Sequence, residues 1–194
     1  MALRRAELLA FHGATLPDLL GPQVKVLFVG INPGLLTAAV QAHFARRGNR
    51  FYPALHRAGI TDRIIDASAG YRPEDRAHLL ERGIGNTNIV ARATARADEL
   101  TPDELLAGAA DLGARVAGIR PQVVAILGIS AYRVAFDRPK ARQGRQPDEL
   151  AGVPLWVAPN PSGLNAHARL DDLATAYREI AVAAGIEPLP GGGS

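Results

Sequence analysis

Apolar positions in this chain follow two rhythms that alternate along its length. Short unbroken apolar runs mark strands buried on both faces of a sheet. The first covers 24–31 (Val-Lys-Val-Leu-Phe-Val-Gly-Ile), and Asn32, Pro33 and Gly34 stop it. A second covers 84–90, weakened by Gly85 and two asparagines. The third, 123–127 (Val-Val-Ala-Ile-Leu), is the strongest, and 154–158 is the last. Between these runs the spacing becomes helical, predicting helices over 3–10, 35–46, 51–58, 102–119 and 170–184. A further helix runs through Phe136, with Ser130 as its cap, and 61–83 mixes helical turns with loop. The best-defined start is 101–104: Thr101 can cap, Pro102 suits the first helical position and Glu104 completes a capping box. Residues 138–146 read as a basic loop.

Strands alternating with helices predict an α/β fold, a three-layer α/β/α sandwich around a short, mostly parallel sheet. A chain of 194 residues has room for one such domain. Its expected extent is 24–186, with 1–23 as an N-terminal extension, packed or loose, and 187–194 as a flexible tail ending in Gly-Gly-Gly-Ser. There is no internal repeat.

Composition narrows the chemistry. The absence of cysteine removes disulfides, thiolate metal sites and a cysteine nucleophile. No apolar run approaches the ~18 residues that a membrane span needs. The first residues lack a secretory pattern, because Glu7, His12, Gly13 and Asp18 interrupt the apolar stretch after Arg4 and Arg5. The expectation is a soluble, cytoplasmic protein. Net charge is only +3, yet all basic residues except Lys25 and Lys140 are arginine. Arginine forks suit phosphate, so nucleic acid is admitted as a partner without being required.

Ligands of open α/β sheets bind beyond the carboxyl ends of the strands. Two of those ends carry unusual turns, Gly-Ile-Asn-Pro-Gly at 30–34 and Pro-Asn-Pro-Ser-Gly-Leu at 159–164. Each offers backbone amides, small polar side chains and glycines that permit close approach. Each can equally be an ordinary strand-to-helix turn. Neither is a nucleotide signature, since Gly-x-Gly-x-x-Gly and the Walker loop are both missing.

Five motifs in order, Val-Gly-Ile-Asn-Pro-Gly (29–34), His-Phe-Ala (43–45), Gly-Asn-Arg-Phe (48–51), Thr-Asn-Ile-Val-Ala-Arg (87–92) and Asn-Pro-Ser-Gly-Leu-Asn (160–165), resemble the mismatch-specific uracil/thymine-DNA glycosylase family, within the uracil-DNA glycosylase superfamily. The resemblance spans about 24–178. It implies a monofunctional enzyme that flips uracil, or thymine or a damaged pyrimidine, out of a mispair with guanine. Hydrolysis of the N-glycosidic bond then leaves an abasic site, with no metal and no organic cofactor. The implied partner is double-stranded DNA carrying the mispaired or damaged pyrimidine, bound by a monomer.

By the same resemblance Asn32 positions the attacking water. The Ile31 backbone faces a base carbonyl, Phe44 stacks on the flipped base, His43 donates to base or phosphate, and Asn88 reads the pyrimidine edge. Leu164 is the wedge that fills the gap, with Gly163 and Asn165 facing the widowed guanine, and Asn160 and Ser162 hold backbone phosphates. Ala166 stands where many members carry arginine, which leaves strictness for guanine open. Tyr52 replaces a frequent tryptophan. Two rival readings remain: a non-catalytic mismatch-binding module of the same fold, and a hydrolase acting on free nucleosides.

Overall fold

The computed structural model describes residues 4–190. Five strands form one sheet: β1 (Val26–Gly30), β2 (Ile84–Asn88), β3 (Val123–Leu127), β4 (Gly144–Leu150) and β5 (Val153–Ala158). Their order is β2-β1-β3-β5-β4, parallel throughout except for the β4–β5 pair. The helices are α1 (Arg5–Leu9), α2 (Leu35–Val40), α3 (Phe51–Arg57), α4 (Pro73–Glu81), α5 (Pro102–Ile119), α6 (Ile129–Ala135) and α7 (Leu170–Ala183). The α/β sandwich read from the sequence is the fold observed.

The unbroken apolar runs exist because both faces of the sheet are covered. Along β1, Val26 and Phe28 point into one core with α3, α4 and α7, while Leu27 and Val29 point into the other with α5. Along β3, Val123, Ala125 and Leu127 alternate in the same way with Val124 and Ile126. Helix α5 buries Ala109, Leu112 and Val116 on one stripe, and α7 buries Leu173, Tyr177 and Ile180.

The helix at 101–104 starts as predicted. The Glu104 amide donates to Thr101 Oγ1 at 3.2 Å, and the Thr101 amide donates to Glu104 Oε2 at 2.9 Å. Three elements differ from the sequence reading. Helix α2 stops at Val40 rather than at 46, because Gln41 takes the left-handed conformation with φ 54°. Ser130 lies inside the first turn of α6, whose N-cap is Gly128, so it caps nothing. Part of the expected basic loop is strand β4, which pairs antiparallel with β5 at the sheet edge. Its register shifts between Arg145 and Glu149 around Pro147, which an edge strand tolerates. Only Gln146 within it is buried, so no apolar alternation announces it.

The N-terminal segment is packed. Leu19 and Asn86 exchange backbone hydrogen bonds of 2.9 Å, covering the outer edge of β2. At the other end, the Leu189 amide donates to the Gly59 carbonyl at 2.7 Å. The end of the expected tail, 191–194, lies outside the described residues.

The chain reverses its winding between β1 and β3. From β1 it crosses to β2 on one side, then returns over β1 through α5 to β3 on the other. The carboxyl ends of β1 and β3 therefore form the switch point at which open sheets bind ligands.

Removing the α5 cap should cost stability. Thr101→Ala is expected to destabilise the fold by about 1 kcal/mol, read as a lower denaturation midpoint in urea with an unchanged slope.

Candidate active site and nucleic-acid interface

A cavity of about 1170 Å³ opens at the switch point. The turns after β1, β3 and β5 all line it, so strand ends set its walls. It contains Ile31, Asn32, His43, Phe44, Asn88, Asn160, Ser162, Leu164 and Asn165, nine of the ten residues named from the sequence. The tenth, Gly163, does not line it.

Asn32 is half-buried, and its amide is fixed by proton accounting. Thr94 Oγ1 donates its single hydroxyl proton to the Arg96 carbonyl at 2.7 Å. It can therefore face Asn32 only as an acceptor, which it does at 2.7 Å from Nδ2. The Arg92 carbonyl accepts the other Nδ2 proton at 3.0 Å. Nδ2 is thus committed to the protein, and Oδ1 is left as the acceptor available to a ligand. Arg92 is itself anchored, with Nη2 donating to Glu104 Oε2 at 3.0 Å and Nε to Oε1. Arg92 and the Thr101 amide together pull the Glu104 carboxyl down to about 2.

Phe44 and Asn88 form a slot beside Gly30. A Cβ on Gly30 would lie 2.6 Å from Asn88 Oδ1 and 3.4 Å from the Phe44 ring, so only glycine admits both. Asn88 is 9% exposed, and its carbonyl is held by Arg115 Nη2 at 2.9 Å. Phe44 sits at φ 56°, a strained conformation for a bulky residue and of the kind that clusters at ligand sites. Phe51 backs its ring, stacked at 4.0 Å between centroids. The surrounding backbone holds the strain in place. The His43 amide donates to Tyr71 Oη at 3.1 Å, and Tyr52 Oη donates to the His43 carbonyl at 2.8 Å. Tyr52 at the tryptophan position is therefore part of this support.

His43 does not fill the donor role expected of it. Its ring is 2% exposed, and Nε2 donates to the Pro17 carbonyl at 3.1 Å. Burial lowers its pKa to about 4, against the smaller opposing pull of Pro17 and Asp18. At neutral pH the ring is uncharged with its one proton committed, so Nδ1 can only accept.

The second turn is built by its own side chains. Asn160 Oδ1 accepts from the Ser162 amide at 2.9 Å, and Ser162 Oγ accepts from the Leu164 amide at 3.3 Å. Both side chains keep a donor, Asn160 Nδ2 and the Ser162 hydroxyl proton, of the kind that phosphate oxygens accept. Asn165 also braces the loop: Nδ2 donates one of its two protons to the Asn160 carbonyl at 3.0 Å and Oδ1 accepts from the His167 amide at 3.1 Å. Gly163 faces the 48–51 loop, where a Cβ would meet the Gly48 carbonyl at 2.6 Å. Its smallness serves loop contact. Leu164 projects at the mouth with 72% of its surface exposed.

Sequence reasoning gave no role to Thr94 or Arg50. Arg50 lay inside a quoted motif, so a signal existed for it. Nothing in the chain marks Thr94, 62 positions from Asn32. The carboxylates on the cavity wall are Asp98 and Asp172, bonded to Arg96 and to the Arg169 amide respectively. Among the described residues no cluster of three His, Asp or Glu side chains could hold a metal ion.

Comparison with known proteins bears on the family and the fold. The family model of the uracil DNA glycosylase superfamily matches residues 17–181. The fold is similar to a solution NMR structure of a candidate uracil DNA glycosylase from Methanosarcina acetivorans, with a TM-score of 0.59 and 15% identity over 87% of this chain and 98% of that one.

The buried His43 sets a pH dependence of stability. The unfolded chain takes up a proton near pH 6.5 and the folded one only near 4, so stability is complete above about 6.5 and is lost as pH falls towards 4. Urea denaturation from pH 4 to 7 should show this rise, and His43→Asn should flatten it.

Proposed function

The chain belongs to the uracil DNA glycosylase superfamily, and from that premise we propose that it is a monofunctional DNA glycosylase acting on uracil mispaired with guanine. Thymine and damaged pyrimidines are its further candidate substrates. The observation that carries the reading is the fixed amide of Asn32, with Nδ2 committed to Arg92 and Thr94 and Oδ1 available in the cavity.

Cleavage of a pyrimidine nucleoside breaks the C1′–N1 bond, and its electron pair leaves with the base. The sugar becomes cationic and the base anionic. Water then adds to C1′ and loses a proton to solvent. A nucleophile meeting a cation needs location more than deprotonation, and an oriented amide oxygen supplies location. Its basicity is too low for proton abstraction. The lining carboxylates at the rim are already hydrogen-bonded, which favours the same division of labour.

The remaining roles follow from position. Asn88 offers a donor and an acceptor to the amide-like edge of the base, and Phe44 presents a ring for stacking, worth ~1–3 kcal/mol. The Ile31 backbone sits at the end of β1 beside Asn32, and its carbonyl is tied to the Val90 amide at 3.0 Å. Leu164 enters the duplex in place of the extruded base, offsetting part of the unstacking cost of a few kcal/mol. Asn160 Nδ2 and the Ser162 hydroxyl meet phosphates. Discrimination for the opposite base falls to the second Nδ2 proton of Asn165 and to the backbone around Leu164.

A duplex with one G·U pair, incubated with the protein and then treated with alkali, should be cut at the uracil and stay intact without alkali. No alkali-labile product at enzyme excess would refute the catalytic reading. Asn32→Ala should lower single-turnover excision by about a hundredfold or more while sparing abasic-product binding. Thr94→Val, which removes one hydrogen bond from the amide, should cost about tenfold, and Thr94→Ser should restore the rate. A panel of duplexes varying the base and its partner would rank the substrates.

A further inference from the structure

Leu164 poses a physical problem. A leucine 72% exposed at the tip of a short loop gains free energy by folding back onto any nearby apolar surface. Something must hold the loop open. Beneath it lies Arg50, half-buried and absent from the cavity wall.

The Arg50 guanidinium gathers three backbone carbonyls from this one loop. Nη2 donates to Ser162 and to Asn165, each at 2.8 Å, and Nη1 donates to Ala168. The Arg50 amide also donates to the Pro161 carbonyl at 2.9 Å. Ser162 and Asn165 flank Leu164, so the fork grips the loop on both sides of the wedge. A planar fork fixes the angle between its acceptors, which a lysine ammonium does not. The contact of Gly163 with the Gly48 carbonyl brings the two loops close enough for the grip. Phe51, next in sequence, is fully buried and packs against Tyr177, so the clamp stands on the core.

We infer that Arg50 is the positioning residue that keeps Leu164 extended for insertion into the duplex. The inference rests on the glycosylase reading proposed above. Arg50 touches no substrate and acts only through the loop. It couples two sequence motifs, 48–51 and 160–165, into one rigid device.

The test uses the full chain with Arg50→Met, which keeps length and removes the donors, and Arg50→Lys, which keeps charge and removes the fork. Hydrogen exchange should quicken over 160–168 in Arg50→Met while strand β3 stays protected. In single-turnover excision from a G·U duplex, Arg50→Met should lose about tenfold, and Arg50→Lys should recover only part of it. The same change in a Leu164→Ala background should cost less than about twofold, because the wedge it positions is already gone. Unchanged exchange over the loop would overturn the inference, as would losses from Arg50→Met and Leu164→Ala that multiply in full. If Arg50→Met loses protection in β3, the Arg50→Lys and Leu164→Ala cycle decides by the same criterion. If the unmodified protein releases no base, the glycosylase reading fails and the insertion role falls with it, while loop exchange still reports whether Arg50 holds the loop.

Discussion

The site depends on one hydroxyl proton. Thr94 gives it to the Arg96 carbonyl, and that choice makes Thr94 an acceptor towards Asn32. An asparagine amide has two orientations that exchange donor and acceptor. Here the reversed one would set Oδ1 against a carbonyl oxygen and a hydroxyl lone pair. The constraint extends further back. The Arg92 carbonyl that accepts from Asn32 belongs to a residue whose guanidinium is gripped by Glu104, and Glu104 closes the capping box of α5 with Thr101. The first turn of a helix is thus connected, through one ion pair and one backbone carbonyl, to the side chain just beyond the end of β1.

The opposite wall is organised by aromatic contacts. Phe44 in a left-handed conformation would relax if its neighbours allowed it. Hydrogen bonds from and to the His43 backbone, through Tyr71 and Tyr52, oppose that relaxation, and Phe51 fixes the ring plane. Phe51 follows Arg50, so a single short segment supports both the stacking ring and the loop that bears Leu164. On the proposed reading, a base slot and a wedge anchored to adjacent residues keep a constant separation, as filling the space left by an extruded base requires.

Much of this was legible in the sequence, for reasons that differ by element. The buried strands announced themselves because both faces need apolar side chains, and α5 because its cap chemistry is local. Strand β4 was not legible: it is an edge with one buried residue and a proline at its irregularity, and its pairing partner alone makes it a strand. The length of α2 was missed because left-handed Gln41 ends it without a glycine signal. The motifs placed nine side chains at one cavity, yet they did not say which polar atoms would be free there. His43 reads as a donor and Asn165 as facing the opposite guanine, and the fold commits the His43 proton to Pro17 and part of the Asn165 amide to Asn160 and His167. Such assignments depend on carbonyls supplied from distant segments, and a carbonyl carries no residue identity.

The same reasoning explains why the residue proposed to position the water is an amide although a carboxylate would be the stronger base. An ionised aspartate at position 32 would present oxygen, not N–H, to the Arg92 carbonyl and to the Thr94 lone pair. Both contacts would turn from attractive to repulsive, and the side chain would lose the two bonds that aim it. The surroundings of Asn32 are therefore built for a donor on one side and an acceptor on the other, a division that only an amide satisfies. Gain in basicity at this position would come with loss of orientation. For a nucleophile that attacks a sugar already bearing positive charge, orientation contributes more.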